Sequence, residues 1–208
     1  MLKSTEKTLP EISSNGKSKS NHAELTPRMP VGFFSKVIAT LKTSKMDFSI
    51  CESLYNYRLN FILEKNKKRK NERKSNIFDS NYDIDVDVES IISKIFKILE
   101  VDDGQILILS LFLIEKFLYK TKIILDEVNI IKIIVVSLLE TIKYNIDEPN
   151  INAYLICLAL KIDKNVLINM EISFLNAIDY KLKVDQDKFF TYKQKIMVPW
   201  INYLKENL

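Results

Sequence analysis

Two long segments with almost no polar side constrain the fold of this chain most. Residues 105–120 are apolar nearly all round. Residues 127–143 carry Ile130, Ile131, Ile133, Ile134, Val135, Leu138, Leu139 and Ile142, broken by one narrow polar stripe. A helix that is apolar on every side must be covered by other helices or by lipid. The densest block, 106–114, is too short for a bilayer, which takes about 20 apolar residues. The block at 123–142 is interrupted by Asp126, Glu127, Lys132 and Glu140. Both segments therefore read as buried helices at the centre of a helical protein.

The neighbouring sequence supplies the cover. Residues 86–99 place Val88, Ile91, Ile92, Ile95, Phe96 and Leu99 at helical spacing, and Asp102-Asp103-Gly104 breaks and re-caps the chain. Asp126 is an expected N-cap for the helix at 127–143. Pro149-Asn150 opens a short helix near 150–160, and Asp163 caps another at 164–178. A strand-like stretch, Tyr180 to Val184, leads into a last helix at 186–206 with Phe189, Phe190, Ile196 and Trp200. Short joints between these segments suit a compact all-α bundle of five helices over 84–184, with a further C-terminal helix in 185–208. Upstream, residues 1–29 lack any apolar period and are expected to be disordered. Residues 30–64 form an N-terminal helical segment with Phe33, Phe34, Val37, Ile38 and Leu41, then Ile50, Leu54, Tyr57 and Leu59. Residues 65–83 form a charged loop. It opens with seven basic residues and one acid over 65–74 and turns acidic from Asp79.

Composition excludes several classes. Three glycines leave almost no room for a phosphate-binding loop, and a net charge of +4 is mild for a nucleic-acid binder. The only histidine, His22, lies in the expected tail, and no nucleophile–base pair stands out, so the chain is not read as an enzyme. Cys51 and Cys157 lack metal spacing and read as reduced thiols. Asp83, Asp85 and Asp87 alternate without the glycine and terminal glutamate of a calcium loop, so no metal and no cofactor are expected. The first residues show no signal-peptide core, and no membrane segment is expected. Lys67-Lys68-Arg69-Lys70 reads either as a nuclear import signal or as an ordinary lysine-rich loop.

One helix face carries an anomaly. On 167–179 the apolar face is Leu167, Met170, Phe174, Leu175 and Ile178, and Glu171 falls inside that arc. A carboxylate among apolar side chains is costly unless something pairs with it. On the helix at 127–143, Asn129, Lys132, Val136, Glu140 and Lys143 recur at i, i+3, i+7, i+11 and i+14. This stripe reads as a solvated edge. Taken with Glu171, it reads instead as half of a charged pair, Lys143 with Glu171, ringed by aliphatic residues as at a protein-docking site.

These residues resemble a cyclin box, in particular the single-box P-type cyclins. The family's Ala-Ala-Lys-Phe corresponds to Thr141-Ile142-Lys143-Tyr144, and its Asn-Asn-x-x-Tyr to Asn150-Ile151-Asn152-Ala153-Tyr154. Its Leu-Glu-x-x-Phe-Leu-x-x-Leu-Asp-Phe-x-Leu-x-Val corresponds to the run from Met170-Glu171 through Phe174-Leu175, Ile178-Asp179-Tyr180 and Leu182 to Val184. A following Phe-x-x-Tyr appears at Phe189 and Tyr192. The resemblance covers about residues 84–195. It departs at Thr141-Ile142, Ile131-Lys132, Leu158-Ala159 and Val166-Leu167-Ile168, and no second box is present.

The resemblance implies a regulatory subunit that forms a heterodimer with a cyclin-dependent protein kinase, located in the nucleus, the cytoplasm or both. Lys143 and Glu171 would grip the kinase at the mobile helix of its catalytic machinery. Tyr144, Leu175 and Tyr180 would add apolar contact. Holding that helix inward lets the kinase's own Lys–Glu pair form. No nucleic acid, membrane or small-molecule substrate is implied. The alternative is a cyclin-box protein of the transcription-factor type, or a helical scaffold with no kinase partner.

Overall fold

The computed structural model describes residues 47–80, 90, 93–94, 97–98, 103–147, 156–158 and 161–207. The expected tail at 1–29, the first amphipathic stretch from Pro30, the Asp83–Asp87 alternation and Asn150–Tyr154 lie outside them. The described residues are helical or irregular, with no strand among them. No helix among them is long and apolar enough to cross a membrane.

Among the described residues, five helices of more than one turn's length carry the fold. α1 spans Phe48–Lys67 and begins at Asp47, whose side chain accepts from Ser49 N at 2.9 Å. Lys65 and Lys67 occupy its last turn, where the helix dipole favours cations. α2 spans Gly104–Thr121 and starts at Asp103, which accepts from Gln105 N. It ends in a left-handed Lys122. α3 spans Ile130–Asn145, α4 spans Lys164–Ala177 and α5 spans Gln186–Glu206. The Asp163 carboxylate caps α4 by accepting from Asn165 N and Val166 N. Ser90, Ser93, Lys94, Lys97 and Ile98 are helical as well, as are Ile156, Cys157 and Leu158.

α2 and α3 form the centre, as their all-round apolarity predicts. α2 packs against each of α1, α3, α4 and α5, while α3 lies mainly between α2 and α4. Every α3 residue from Ile130 to Ile142 except Lys132 is buried. Aromatic rings tie the layers together. Phe117 of α2 stacks on Phe174 of α4 with centroids 4.8 Å apart, and Phe78 meets Phe117 edge-on at 5.2 Å. Trp200 of α5 is 1% exposed, despite Pro199 beside it in the helix.

Three local expectations change. First, α3 starts at Ile130, later than 127. Asp126 instead closes a tight turn by accepting from Val128 N and Asn129 N, and the Asn129 side chain accepts from Asp126 N and donates to Ile124 O. Second, the segment expected as a solvated loop from residue 65 is helical to Lys67 and forms a 3-10 turn at Lys70–Glu72. Its Phe78 is sealed in the core, and Arg73 bonds to both Asp79 and Asp126, so the basic run is partly neutralised in place. Third, Tyr180–Val184 is irregular. Asp179 and Tyr180 both adopt left-handed backbone, with φ of 58° and 54°. Tyr180 N donates to Leu175 O at 2.9 Å, which ends α4 and redirects the chain.

Candidate protein-docking site

Lys143 lies in the last turn of α3, and Glu171 lies midway along α4. Because α3 and α4 pack side by side, residues 28 apart in the chain meet: Lys143 Nζ donates to Glu171 Oε1 at 2.6 Å. The same ammonium donates to Glu140 Oε1 at 2.9 Å, one turn back on α3. One lysine therefore serves two carboxylates. The three side chains run from open to closed: Lys143 is 37% exposed, Glu171 17% and Glu140 6%.

That gradient sets the electrostatics. Burial pushes the Glu140 carboxyl above the usual carboxylate range. The hydrogen bond and charge of Lys143 pull it down, and the negative charge of Glu171 adds to the rise. Burial works to lower the Lys143 ammonium, but its bonds to Glu171 and Glu140 outweigh that loss and hold it above the usual lysine range. The triad is left with one unbalanced negative charge at the surface.

The polar stripe read from the sequence is not a solvated edge. Asn129 and Val136 are fully buried and Glu140 nearly so. Lys132 is half-buried, with its Nζ 2.6 Å from Asp79 O, and Lys143 alone emerges. Glu171 likewise sits at the border of the α4 core face rather than at its middle: Leu167, Met170, Phe174 and Ile178 are buried, and Leu175 is half-buried.

Exposed apolar side chains lie close to the charged pair along the chain. Tyr144 is 49% exposed and Tyr180 61% exposed. Ile168 and Leu175 stand one turn either side of Glu171, at the i−3 and i+4 spacings that share a helix face, and Ile172 adjoins them. Ile168 and Ile172 are exposed to 40% and 48%. These isoleucines and Glu140 were not singled out as site residues from sequence. Their pattern was visible, but only burial tells an outward isoleucine from a core one.

The two departures next to Lys143 fit the packing. Thr141 is fully buried with its hydroxyl donating to Ser137 O, and Ile142 is 1% exposed. The residues of the possible import signal are folded: Lys67 ends α1 and bonds Glu64, Lys68 caps the helix, Arg69 pairs with Glu72, and Lys70 opens the 3-10 turn. No cluster of metal-holding side chains occurs among the described residues. Comparison of the sequence with protein-family models and with curated proteins returns no match.

Proposed function

We propose that this protein is a cyclin: a single cyclin box that binds a cyclin-dependent serine/threonine kinase and activates it allosterically, in cell-cycle or growth control. The observation that carries the reading is the Lys143–Glu171 pair, 2.6 Å apart across α3 and α4, with Tyr144 and Tyr180 exposed and Leu175 half-buried nearby in the chain. An ion pair accompanied by apolar side chains suits a partner helix. The apolar side chains supply area, and the charges fix register through hydrogen bonds to main-chain groups. The all-helical bundle with α3 at its core supports the same reading. The protein would contribute no catalytic group. Its binding energy would hold the kinase helix in the position from which the kinase's own Lys–Glu pair forms. In this reading residues 84–184 are the box, flanked by the N-terminal helical segment and α5.

The test is reconstitution. The protein, co-expressed with candidate cyclin-dependent kinases of its host, is expected to purify as a one-to-one complex that phosphorylates a generic substrate. Lys143→Ala and Glu171→Ala are each expected to abolish the complex while leaving the helical circular dichroism intact. A kinase complex unaffected by both substitutions sinks the proposal.

A further inference from the structure

A second charged surface lies where α2, the α4–α5 connection and the first turn of α5 meet. Lys116 and Lys120 stand one turn apart on α2, a spacing that places them on one face. The left-handed pair Asp179 and Tyr180 turns the chain back beneath them. This brings Lys181 O to 2.7 Å from Lys116 Nζ and Asp179 Oδ2 to 3.2 Å from Lys120 Nζ. The Lys181 ammonium lies 3.8 Å from the same Asp179 oxygen, and Lys188 holds Asp185 at 2.6 Å. Three lysines thus share two aspartates, and Lys116 is held by a main-chain carbonyl. Lys120 is 47% exposed, Lys181 71% and Lys188 70%. Burial holds the Lys116 ammonium below the usual lysine range, and the charges of Lys181, Lys120 and Lys188 add to that effect. Exposed Tyr119 lies between Lys116 and Lys120 on α2, and Tyr180, also assigned to the Lys143–Glu171 site, adjoins Asp179 and Lys181 in the chain.

We infer that this surface docks an acidic segment of a partner protein. Its cations are lysines on flexible stems, spread over three chain segments. Such point charges suit separate carboxylates strung along a peptide better than one phosphoryl group, which is best held by a planar, bidentate donor. Asp179 and Asp185 are embedded among the lysines and would repel the continuous phosphates of a nucleic acid. The two tyrosine rings offer apolar contact to the peptide's other side chains. None of these lysines belongs to the Lys143–Glu171 site, so this inference stands or falls separately from the kinase reading.

Fluorescence anisotropy tests it, with the full chain titrated into a labelled synthetic peptide alternating glutamate and serine. Lys120→Glu with Lys181→Glu is expected to weaken binding by about tenfold or more, as like charges are brought together. Asp179→Asn is expected to tighten it, since asparagine tolerates the left-handed backbone there and removes the embedded negative charge. Lys65→Glu with Lys74→Glu makes the same change in net charge elsewhere and is expected to alter affinity by less than about twofold, the residue of long-range effects after salt screening. If charge reversal lowers the helical signal, Lys120→Ser with Lys181→Ser replaces it. Equal weakening by both double variants, no gain from Asp179→Asn, or tighter lysine-dependent binding of a single-stranded oligonucleotide would each overturn the inference.

Discussion

Lys143 Nζ lies 2.6 Å from Glu171 Oε1 while also bonding Glu140, so a single half-open ammonium bridges two carboxylates that are less exposed than it is. Removing it leaves two negative charges facing each other with little water between them. Lys143→Ala is therefore expected to destabilise the isolated chain at pH 7 by about 1–2 kcal/mol, less than for a sealed pair because water reaches the lysine. Urea unfolding measures this. The deficit should shrink as pH falls towards the carboxylate range, because protonation of Glu140 removes the repulsion.

Glu140 gives the opposite sign. Burial raises its carboxyl above the unfolded-state value, so its ionisation opposes folding. For a raised group, the favourable contribution is fully present below the unfolded pKa and is lost as pH rises through the folded one. Glu140→Gln keeps an acceptor for Lys143 and does not titrate. It is expected to stabilise the free chain at pH 7 by up to about 1 kcal/mol. The advantage should fade as pH drops below the unfolded-state carboxylate range, where the wild-type carboxyl is protonated in both states. Thermal melts of the two proteins across that pH range decide the matter. A destabilised Gln variant at pH 7 would show that the charge on Glu140 is worth more to Lys143 than its burial costs.

What sequence could and could not reveal follows from the same residues. The central helices were legible because apolar residues nearly all round 105–120, and on all but one narrow stripe of 127–143, leave no other place for them. Asp103 and Asp163 were legible as helix starts because each carboxylate caps free N–H groups just ahead of an apolar run. Phe78 was not legible. One phenylalanine inside a charged segment has no periodic neighbour, and its burial depends on Phe117 arriving from α2. The Glu140 contact was hidden for a related reason. Spacing puts Glu140 and Lys143 on one face, but it does not say that α4 closes over the glutamate and leaves the lysine in water. The strand-like reading of Tyr180–Val184 failed because β-branched and aromatic propensity there is overridden by the left-handed turn that ends α4.

Glu115 of α2 joins three helices. Its two oxygens accept from Arg58 of α1 at 2.6 and 3.0 Å, and Oε1 also accepts from the Tyr192 hydroxyl of α5 at 2.8 Å. The Arg58 and Glu115 side chains are only 16% and 20% exposed. Glu115→Ala leaves a guanidinium and a phenol without their acceptor. The expected cost is about 2–3 kcal/mol, the range for a largely buried charged hydrogen-bond group. Glu115→Gln retains one acceptor and should lose about half as much. Hydrogen exchange is expected to locate the damage in α1 and α5, with α3 amides little changed.

Gly104 begins α2 against Cys51 of α1, where the backbones approach closely. A Cβ at position 104 would lie 2.7 Å from Cys51 Sγ, 3.0 Å from Cys51 Cβ and 3.1 Å from Phe48 Cα. The first is closer than Cβ atoms come, the other two are tight, and Cys51 is fully buried. Gly104→Ala is expected to cost about 1–3 kcal/mol through overpacking, despite alanine's better helix propensity. Cys51→Ala removes the sulfur, the nearest of the three atoms, but leaves the Cβ and Phe48. The double variant should therefore recover part of the loss and not all of it, giving a coupling energy measurable by a double-mutant cycle in urea. Strict additivity of the two substitutions would show that α1 and α2 do not meet at these residues.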